Sequence, residues 1–288
     1  MSGSTGLSPL QSYISYSTNE AKYANAASLG NGQQTGLINY FTANAAKITS
    51  PAALLGNYKA LSVVLGAFGI GNLINSTALV KQLLTQDPSS KSSVAYRIGN
   101  AKYLAFANAL QSWSPPPFST PDGVNAIVTA YKTNNFEASV NSQTPGLQNA
   151  LYFTRTASSI TTITQLQSDP SLLAVAVTGI GLPLTAYDNL SFTQQTSLLK
   201  QKLNLTDLQK PAYVQHLAEL YLVQQQLNAG TQLPTVQPGS IASLFGGTST
   251  SGDSVLTILQ DSNSGGTSSL LGTSTTGTAT NPLLSLFA

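Results

Sequence analysis

The sequence is 288 residues long and has no cysteine, and only 8% of its residues are charged, with a formal net charge of +2. Globular proteins average about 25% charged residues, so solubility here must depend on Ser, Thr, Asn and Gln. The few charges form no basic stripe that could neutralise phosphates, so nucleic-acid binding is not expected. Without cysteine the sequence offers no disulfide, no thiolate nucleophile and none of the usual structural zinc sites. Weak charge also favours self-association.

The sequence predicts neither a secretory signal nor a membrane span. Residues 1–10 lack both a basic n-region and an apolar h-region, so we expect no cleavable signal. The longest apolar stretches, 61–74 and 172–184, are about half as long as a membrane-spanning helix and contain glycine. They are typical of buried core helices.

The N-terminal part of the chain predicts three helices in succession. A glycine-containing break at 29–32 separates the first two. Ser50 and Pro51 are an N-cap and a first helical residue, and they predict a third helix that continues to the glycines Gly69 and Gly71. Apolar residues along it recur at the spacing of a helix face that packs on a core.

A fourth helix is predicted over 75–85, followed by a turn at 87–90 and one continuous helix over 92–110. The Pro-rich stretch 112–123 is the clearest internal boundary, because proline cannot continue a helix.

The second half of the chain also has a helical pattern. Asp122 is expected to cap a helix, another helix is expected over 146–166, and Asp169 begins a helical region that ends near residue 228. Only 156–164 has enough β propensity to compete with helix. With nine or ten helices and no alternating strand, the sequence predicts an all-α fold.

Part of the helical region recurs within the chain. The apolar stretch 61–71 returns as 172–181, and 102–110 returns as 212–220, about 110 residues later. We therefore expect two internally repeated helical lobes packed as one body. The predicted divisions are an N-terminal helical or flexible arm (1–34), helical repeat 1 (35–110), a Pro-rich linker (111–123), helical repeat 2 (124–228) and a C-terminal tail (229–288).

The C-terminal tail differs in composition from the rest. More than half of residues 231–288 are Gly, Ser or Thr, and the only charged ones are Asp253 and Asp261. Such a segment is predicted to be disordered. It contains apolar islands, and Ser-Leu-Phe occurs in two of them. These islands are either partner-docking sites or segments that pack weakly on the chain's own body; the candidate docking residues are Leu244, Phe245, Leu283, Leu284, Leu286 and Phe287.

A search for catalytic residues yields no candidates. His216 is the only histidine, and helical spacing places Tyr213, Leu217 and Leu220 beside it, which predicts a half-buried structural histidine. Nearly all the aspartates stand at turns or helix starts. No two carboxylates fall at helical spacing with a third ligand nearby, so no metal site is predicted.

The sequence also offers no cofactor site. Gly69 and Gly71 begin a dinucleotide-like pattern, but the third glycine is replaced by Ile74 and the preceding element is helical. Lys81 and Lys200 are interpreted as exposed helix lysines. We therefore predict no catalytic, cofactor-binding or metal residue, and no enzymatic activity.

Five stretches follow one another in a characteristic order, and Gln194-Gln195 comes after them: 58–70, 80–90, 93–103, 149–161 and 179–183. In order and spacing they resemble the signature of the bacterial domain-of-unknown-function family number twelve-seventeen. The resemblance covers residues 35–228. Tyr96 stands where Asn is common in the family, Asn100 where Asp is common, and Thr154 and Thr156 replace charged residues. The chain resembles a divergent member that has lost charge.

The resemblance implies a helical fold, no attached enzymatic activity and no functional residues to transfer. Members are commonly encoded among flagellar genes, and a chain poor in Cys, Trp and His fits a protein exported through the flagellar channel. The resulting hypothesis is a non-enzymatic structural or assembly protein of the bacterial flagellum, exported without a cleavable signal, whose partners are other flagellar or export proteins or further copies of itself. The alternative is a cytoplasmic adaptor or export chaperone for flagellar subunits.

An enzyme of unrecognised type is the third hypothesis. It would need a convergent polar pocket, and the available side chains would be Arg97, Arg155, His216 and Glu219.

Overall fold

We obtained a computed structural model of the chain, which describes residues 7–228. The predicted disordered tail and the six candidate docking residues Leu244, Phe245, Leu283, Leu284, Leu286 and Phe287 lie outside the described residues. The described residues all belong to one compact unit.

Residues 7–228 form fifteen α-helices, four short 3-10 helices and no β-strand, which confirms the all-α prediction for this part of the chain. The first eight helices are α1 (Pro9–Thr18), α2 (Glu20–Leu29), α3 (Gly32–Asn44), α4 (Pro51–Leu55), α5 (Tyr58–Ala67), α6 (Thr77–Thr85), α7 (Val94–Ile98) and α8 (Ala101–Ala109). The other seven are α9 (Pro121–Gln143), α10 (Leu147–Thr156), α11 (Ile163–Gln167), α12 (Pro170–Gly179), α13 (Leu184–Asp188), α14 (Phe192–Lys202) and α15 (Pro211–Asn228). The 3-10 helices are Ala45–Lys47, Gly71–Asn75, Ala157–Ser159 and Leu205–Gln209.

Several helices begin at the residues that the sequence predicts. The Ser50 hydroxyl accepts a hydrogen bond from the Ala53 amide, and Pro51 follows as the first residue of α4. Asp169 caps α12 in the same way. At α9 the prediction was wrong, because the cap is Thr120 and Asp122 lies in the first turn. In the first turn the negative charge of Asp122 interacts favourably with the helix dipole, but its side chain does not cap the helix.

Four predicted helices are each divided, so residues 7–228 contain fifteen α-helices where nine or ten were predicted. The helix before the break at 29–32 forms α1 and α2, and the helix expected over 146–166 forms α10 and α11. The helix expected from Pro51 to Gly69 breaks before Asn57, whose side chain accepts from the Ala60 amide and starts α5. The helix expected over 92–110 breaks at Gly99, which has a left-handed backbone with φ of 68°. Asn100 then caps α8. At α5 and α8 an asparagine side chain competes for backbone amides and restarts the helix.

The helices α5 and α12 end with the same backbone arrangement. Gly69 and Gly181 adopt positive φ angles of 66° and 81°. The amide after each glycine donates to a carbonyl five residues earlier, Ile70 to Leu65 and Leu182 to Val177. This is the Schellman termination, which needs a residue that tolerates left-handed dihedrals. The internal repeat itself stays a prediction.

Two apolar cores lie within the described residues. The first core is formed by α3 to α8 and the start of α9, and includes Leu54, Leu65, Leu83 and Phe106. The second core is formed by α10 to α15 and the end of α9, with Tyr13 from α1 and Ala24 from α2. Helix α9 therefore contributes to both, with Val124, Ile127 and Tyr131 in the first core and Phe136 and Val140 in the second core. The Pro-rich segment precedes this shared helix.

Gly179 is expected to be intolerant of any side chain, because α12 approaches α15 closely there. A Cβ at this position would lie 2.8 Å from the backbone oxygen of Leu217. We expect Gly179→Ala to lower the free energy of unfolding by about 1–3 kcal/mol, as overpacking does. Gly36→Ala in α3 is the matched control: nothing lies within 4 Å of the added carbon, so it should stabilise by about 0.5–1 kcal/mol. Urea unfolding of both variants checks this, and equal effects would contradict it.

Candidate functional site

A polar cleft lies between elements of the two cores. Its volume is about 350 Å³, and it is lined by residues of α5, α8, α9, α10 and α12 together with the glycines that follow α5. The side chains with polar groups that line it include Lys102, Asn134, Glu137, Gln148, Tyr152 and Ser171. The charged residues around this cleft form the most connected polar cluster of the described chain.

The pair Glu137–Arg155 lies at the centre of the cluster. Glu137 is only 1% exposed, and Arg155 donates from Nε and Nη2 to its Oε1 at 3.0 and 2.8 Å. Arg155 Nη2 also reaches Asn134 Oδ1 at 3.4 Å. Burial raises the pKa of Glu137, and the Arg155 guanidinium opposes that rise. A buried carboxylate is stable only with such a partner.

A second carboxyl group faces this pair. Glu20, in the first turn of α2, lies close enough to Glu137 and Arg155 to interact electrostatically with both. Burial and the charge of Glu137 raise the pKa of Glu20 to about 8, and Arg155 opposes them. Two carboxyl groups that share one cation cannot both ionise without cost, so a proton is retained on the one that lacks the arginine. At neutral pH the cluster therefore holds Glu20 protonated.

Asp169 forms the other half of the cluster. It is 1% exposed, accepts from the Tyr152 hydroxyl at 2.9 Å and from the Ser171 amide at 3.0 Å, and lies 3.9 Å from Lys102 Nζ. Burial, followed by the charge of Asp169, raises the pKa of the Tyr152 phenol. The cations of Lys102 and Arg155 lie 4.4 and 5.5 Å from the centre of the Tyr152 ring. Tyr152 thus connects the two ion pairs.

These contacts join helices from both cores. Lys102 comes from α8 of the first core, whereas Asp169, Tyr152 and Arg155 come from elements that build the second core. Asn134 reinforces the junction, because its Nδ2 donates to the Ala67 carbonyl at the end of α5 at 2.7 Å. The charged groups of this arrangement pair with one another, and these contacts fix the relative positions of α2, α8, α9, α10 and α12.

Removing the Tyr152 hydroxyl tests how much that connection contributes. We expect Tyr152→Phe to lower the free energy of unfolding by about 2 kcal/mol, since it removes a hydrogen bond to a buried charged group. The ring and its contacts with Lys102 and Arg155 would be retained. Tyr58→Phe, at a tyrosine that is 66% exposed, is the control and should leave stability unchanged. A Tyr152→Phe protein as stable as the control would contradict this assignment.

The residues named for a possible enzyme do not form one constellation with the cluster. Arg155 belongs to it, but Arg97 is exposed on α7. Glu219 accepts a hydrogen bond from Gln215 on the same helix. His216 is half-buried on α15, as its sequence neighbours predicted. In the described part of the chain no three His, Cys, Asp or Glu residues are grouped as a metal site would require.

The two lysines interpreted as exposed, Lys81 and Lys200, are exposed. Lys200 also lines a second, polar groove of about 720 Å³ between α11, α14 and the start of α15.

Sequence reasoning missed the carboxyl pair. Glu20 and Glu137 are far apart in the chain, and only the packing of α2 on α9 brings them together. One signal was available: Glu137 occupies the same helical stripe as the buried residues Thr133, Phe136 and Val140. A carboxylate within a buried stripe requires a partner, although the sequence does not say which.

The fold and the cluster together define an all-α protein with two apolar cores joined through one long helix and one ionic network. The chain belongs to the DUF1217 family, since the family model described as "Protein of unknown function (DUF1217)" matches residues 67–214. The resemblance to family number twelve-seventeen is thereby confirmed.

Among solved structures, the chain is similar to a protein from Agrobacterium tumefaciens whose crystal structure was determined by the Northeast Structural Genomics Consortium. The TM-score is 0.67 at 20% identity, over 75% of this chain and 92% of that chain. At this identity the likeness shows the fold. No curated protein matches the chain. Within residues 7–228 no helix combines the length and apolarity needed to cross a membrane.

Proposed function

We propose that this protein is a non-enzymatic structural or assembly protein of the bacterial flagellum and acts through protein–protein contacts. The observation that carries the proposal is a rigidly held, exposed Tyr96-Arg97-Ile98 on α7. Tyr and Arg are enriched at the energetic centres of interfaces. On a surface with so little charge, such a group offers both apolar area and a guanidinium to a partner.

Hydrogen bonds on both sides fix the helix that presents this group. Gln86 Oε1 accepts from the Val94 amide at 2.7 Å and Ser93 Oγ accepts from the Tyr96 amide at 3.2 Å. At the other end Ser168 Oγ donates to the Gly99 carbonyl at 2.6 Å. A preorganised surface loses little conformational entropy on binding, which supports a role in recognition.

The flagellar setting is part of the proposal and rests on the family resemblance and the composition. Deletion of the gene should impair swimming or filament assembly, and a clean deletion that swims normally would refute the proposal. Mass spectrometry of sheared filaments should detect peptides of this chain.

The second candidate is a cytoplasmic adaptor or export chaperone for flagellar subunits. It is favoured by the same exposed group, which would then bind a client. Fractionation separates the two: protein found only in the cytosol supports the adaptor, and protein found in filaments or in the medium supports the structural role.

Surface variants test whether α7 is the contact. Tyr96→Ser combined with Ile98→Ser should reduce motility in a complemented deletion strain and leave the thermal midpoint unchanged, because both side chains are exposed. Tyr58→Ser, which removes an exposed tyrosine from α5, is the matched control and should swim normally. Normal motility of the double variant would exclude α7 as the contact.

A further inference from the structure

The α1–α2 pair has few fully buried apolar side chains, although Leu10, Tyr16 and Tyr23 pack half-buried against the second core. Tyr13 of α1 and Ala24 of α2 are the only apolar residues of the two helices that are buried. The other buried residues of these helices are Ser12 and Ser28. The pair packs on α9, α10 and α15. Elements with little buried apolar surface open locally at low free energy, so one additional charge can decide whether such an element stays docked.

Specific contacts besides Glu20 also anchor the pair. The Tyr13 hydroxyl lies 2.6 Å from Thr154 Oγ1 of α10. Tyr16 and Tyr23 pack around the ring of Phe136, with ring centres 5.1 and 6.2 Å from it. Undocking would therefore uncover an aromatic and apolar surface on α9 and α10 that belongs to the second core.

The carboxyl of Glu20 is the element of this interface that is poorly compensated. Arg155 directs both of its hydrogen bonds to Glu137, and none of the hydrogen bonds found for Arg155 reaches Glu20. Glu20 Oε1 is buried without a hydrogen-bond partner in the described structure. One guanidinium thus serves two carboxyl groups, Glu137 at 1% exposure and the half-buried Glu20. Ionisation of Glu20 would add a second negative charge to which Arg155 makes no hydrogen bond.

We propose that the α1–α2 pair is a proton-dependent cover: it stays docked while Glu20 and Glu137 share one proton, and it detaches when that proton is lost. Detachment exposes the surface around Phe136 and Thr154. The raised pKa of Glu20, about 8, is consistent with this arrangement.

The direction of the pH dependence follows from linkage. Below the ordinary pKa of Glu20, about 4.3, the docked and undocked forms are both protonated. Above it, the undocked form ionises while the docked form keeps its proton, so docking weakens by about tenfold per pH unit. The decline ends where the docked form also ionises, near pH 8.

Other titratable and charged groups face this interface and must be distinguished from Glu20. They are Glu137 and Lys132 of α9, Tyr152 and Arg155 of α10, Tyr13 of α1, Glu219 of α15 and Lys102 of α8. Lys132 donates to Asn25 of α2 at 3.0 Å. Burial raises the pKa of Tyr13 to about 12. His216 lies on α15, against which α1 packs, and is the histidine to be distinguished from Glu20.

Hydrogen exchange of the full chain at pH 6 and pH 8.5 tests the proposal. After correction for intrinsic rates, protection of residues 9–29 should fall at least tenfold at the higher pH, while α5 and α12 keep theirs. In Glu20→Gln the fall should disappear, because an amide does not ionise. His216→Asn is the control and should keep the wild-type response.

Three outcomes would overturn the proposal. Wild-type protein with equal protection at both pH values has no such cover. A Glu20→Gln protein that still loses protection has a different sensor, and loss of the response in His216→Asn would identify that sensor as the histidine. Unchanged protection of Glu20→Gln at pH 6 confirms that this variant is folded and docked.

Discussion

Replacing Arg155 with methionine is expected to lower the free energy of unfolding by about 1.5–3 kcal/mol, because it removes charge-assisted hydrogen bonds to a buried carboxylate from a guanidinium that is 36% exposed. The substitution leaves the carboxylate of Glu137, which is 1% exposed, without its cation and beside a second carboxyl group. The loss should be smaller at pH 5 than at pH 8, because protonation of Glu137 relieves it. Urea unfolding at the two pH values measures both effects.

Two further variants control for the Arg155 result. Lys210→Met removes the exposed cation of the Lys210–Asp207 pair, and its unfolding midpoint should match that of the wild type because water solvates both groups. The double variant Arg155→Met with Glu137→Gln should recover much of the lost stability, since no unpaired charge remains buried. An Arg155→Met protein as stable as Lys210→Met would show that the cluster does not hold the junction.

Truncating a leucine in either core is expected to lower the stability of both. Leu65→Ala in the first core and Leu172→Ala in the second core each remove a side chain that is fully buried. We expect each to lower the free energy of unfolding by about 2–5 kcal/mol. Because α9 contributes to both cores and the ionic cluster joins them, each variant should still unfold in one transition.

Trp113 allows unfolding of the first core to be monitored separately. It is the only tryptophan, and it packs against the first core beside Phe118. Leu172→Ala, a change in the other core, should therefore shift the Trp113 fluorescence transition as far as it shifts the circular dichroism transition. If the fluorescence midpoint stays at the wild-type value while the circular dichroism splits into two steps, the cores are independent.

Local features of the fold could be predicted where short-range chemistry is decisive. Ser50 with Pro51 and Asp169 with Pro170 start helices as expected, because a cap and its amides lie within a few residues of each other. Asn57 and Asn100 were missed as restart points, since an asparagine in a helical pattern is equally compatible with an exposed position. The left-handed Gly99 decides between these possibilities.

The candidate site could be predicted much less well. Asp169 was assigned as a helix cap, which it is, but its contacts with Tyr152 and Lys102 depend on the approach of α8 and α10 to the start of α12. Arg155 was named only as a side chain available to a possible enzyme. Its partner Glu137 lies on α9, and the distance between Arg155 Nη2 and Glu137 Oε1 is 2.8 Å.

The amino-acid sequence by itself determined that residues 7–228 are helical, where several of their helices begin, and that the chain belongs among the DUF1217 proteins, because capping, helical periodicity and motif order are local properties. Only the tertiary structure decided that α9 would contribute to two cores, and that Glu20 and Arg155 would meet the buried Glu137 where α2 and α10 pack on α9. The strength of an interaction between charges depends on their distance and on the local dielectric, and both are set by packing. Glu20 and Glu137 are far apart in the chain, so no sequence pattern predicts their contact.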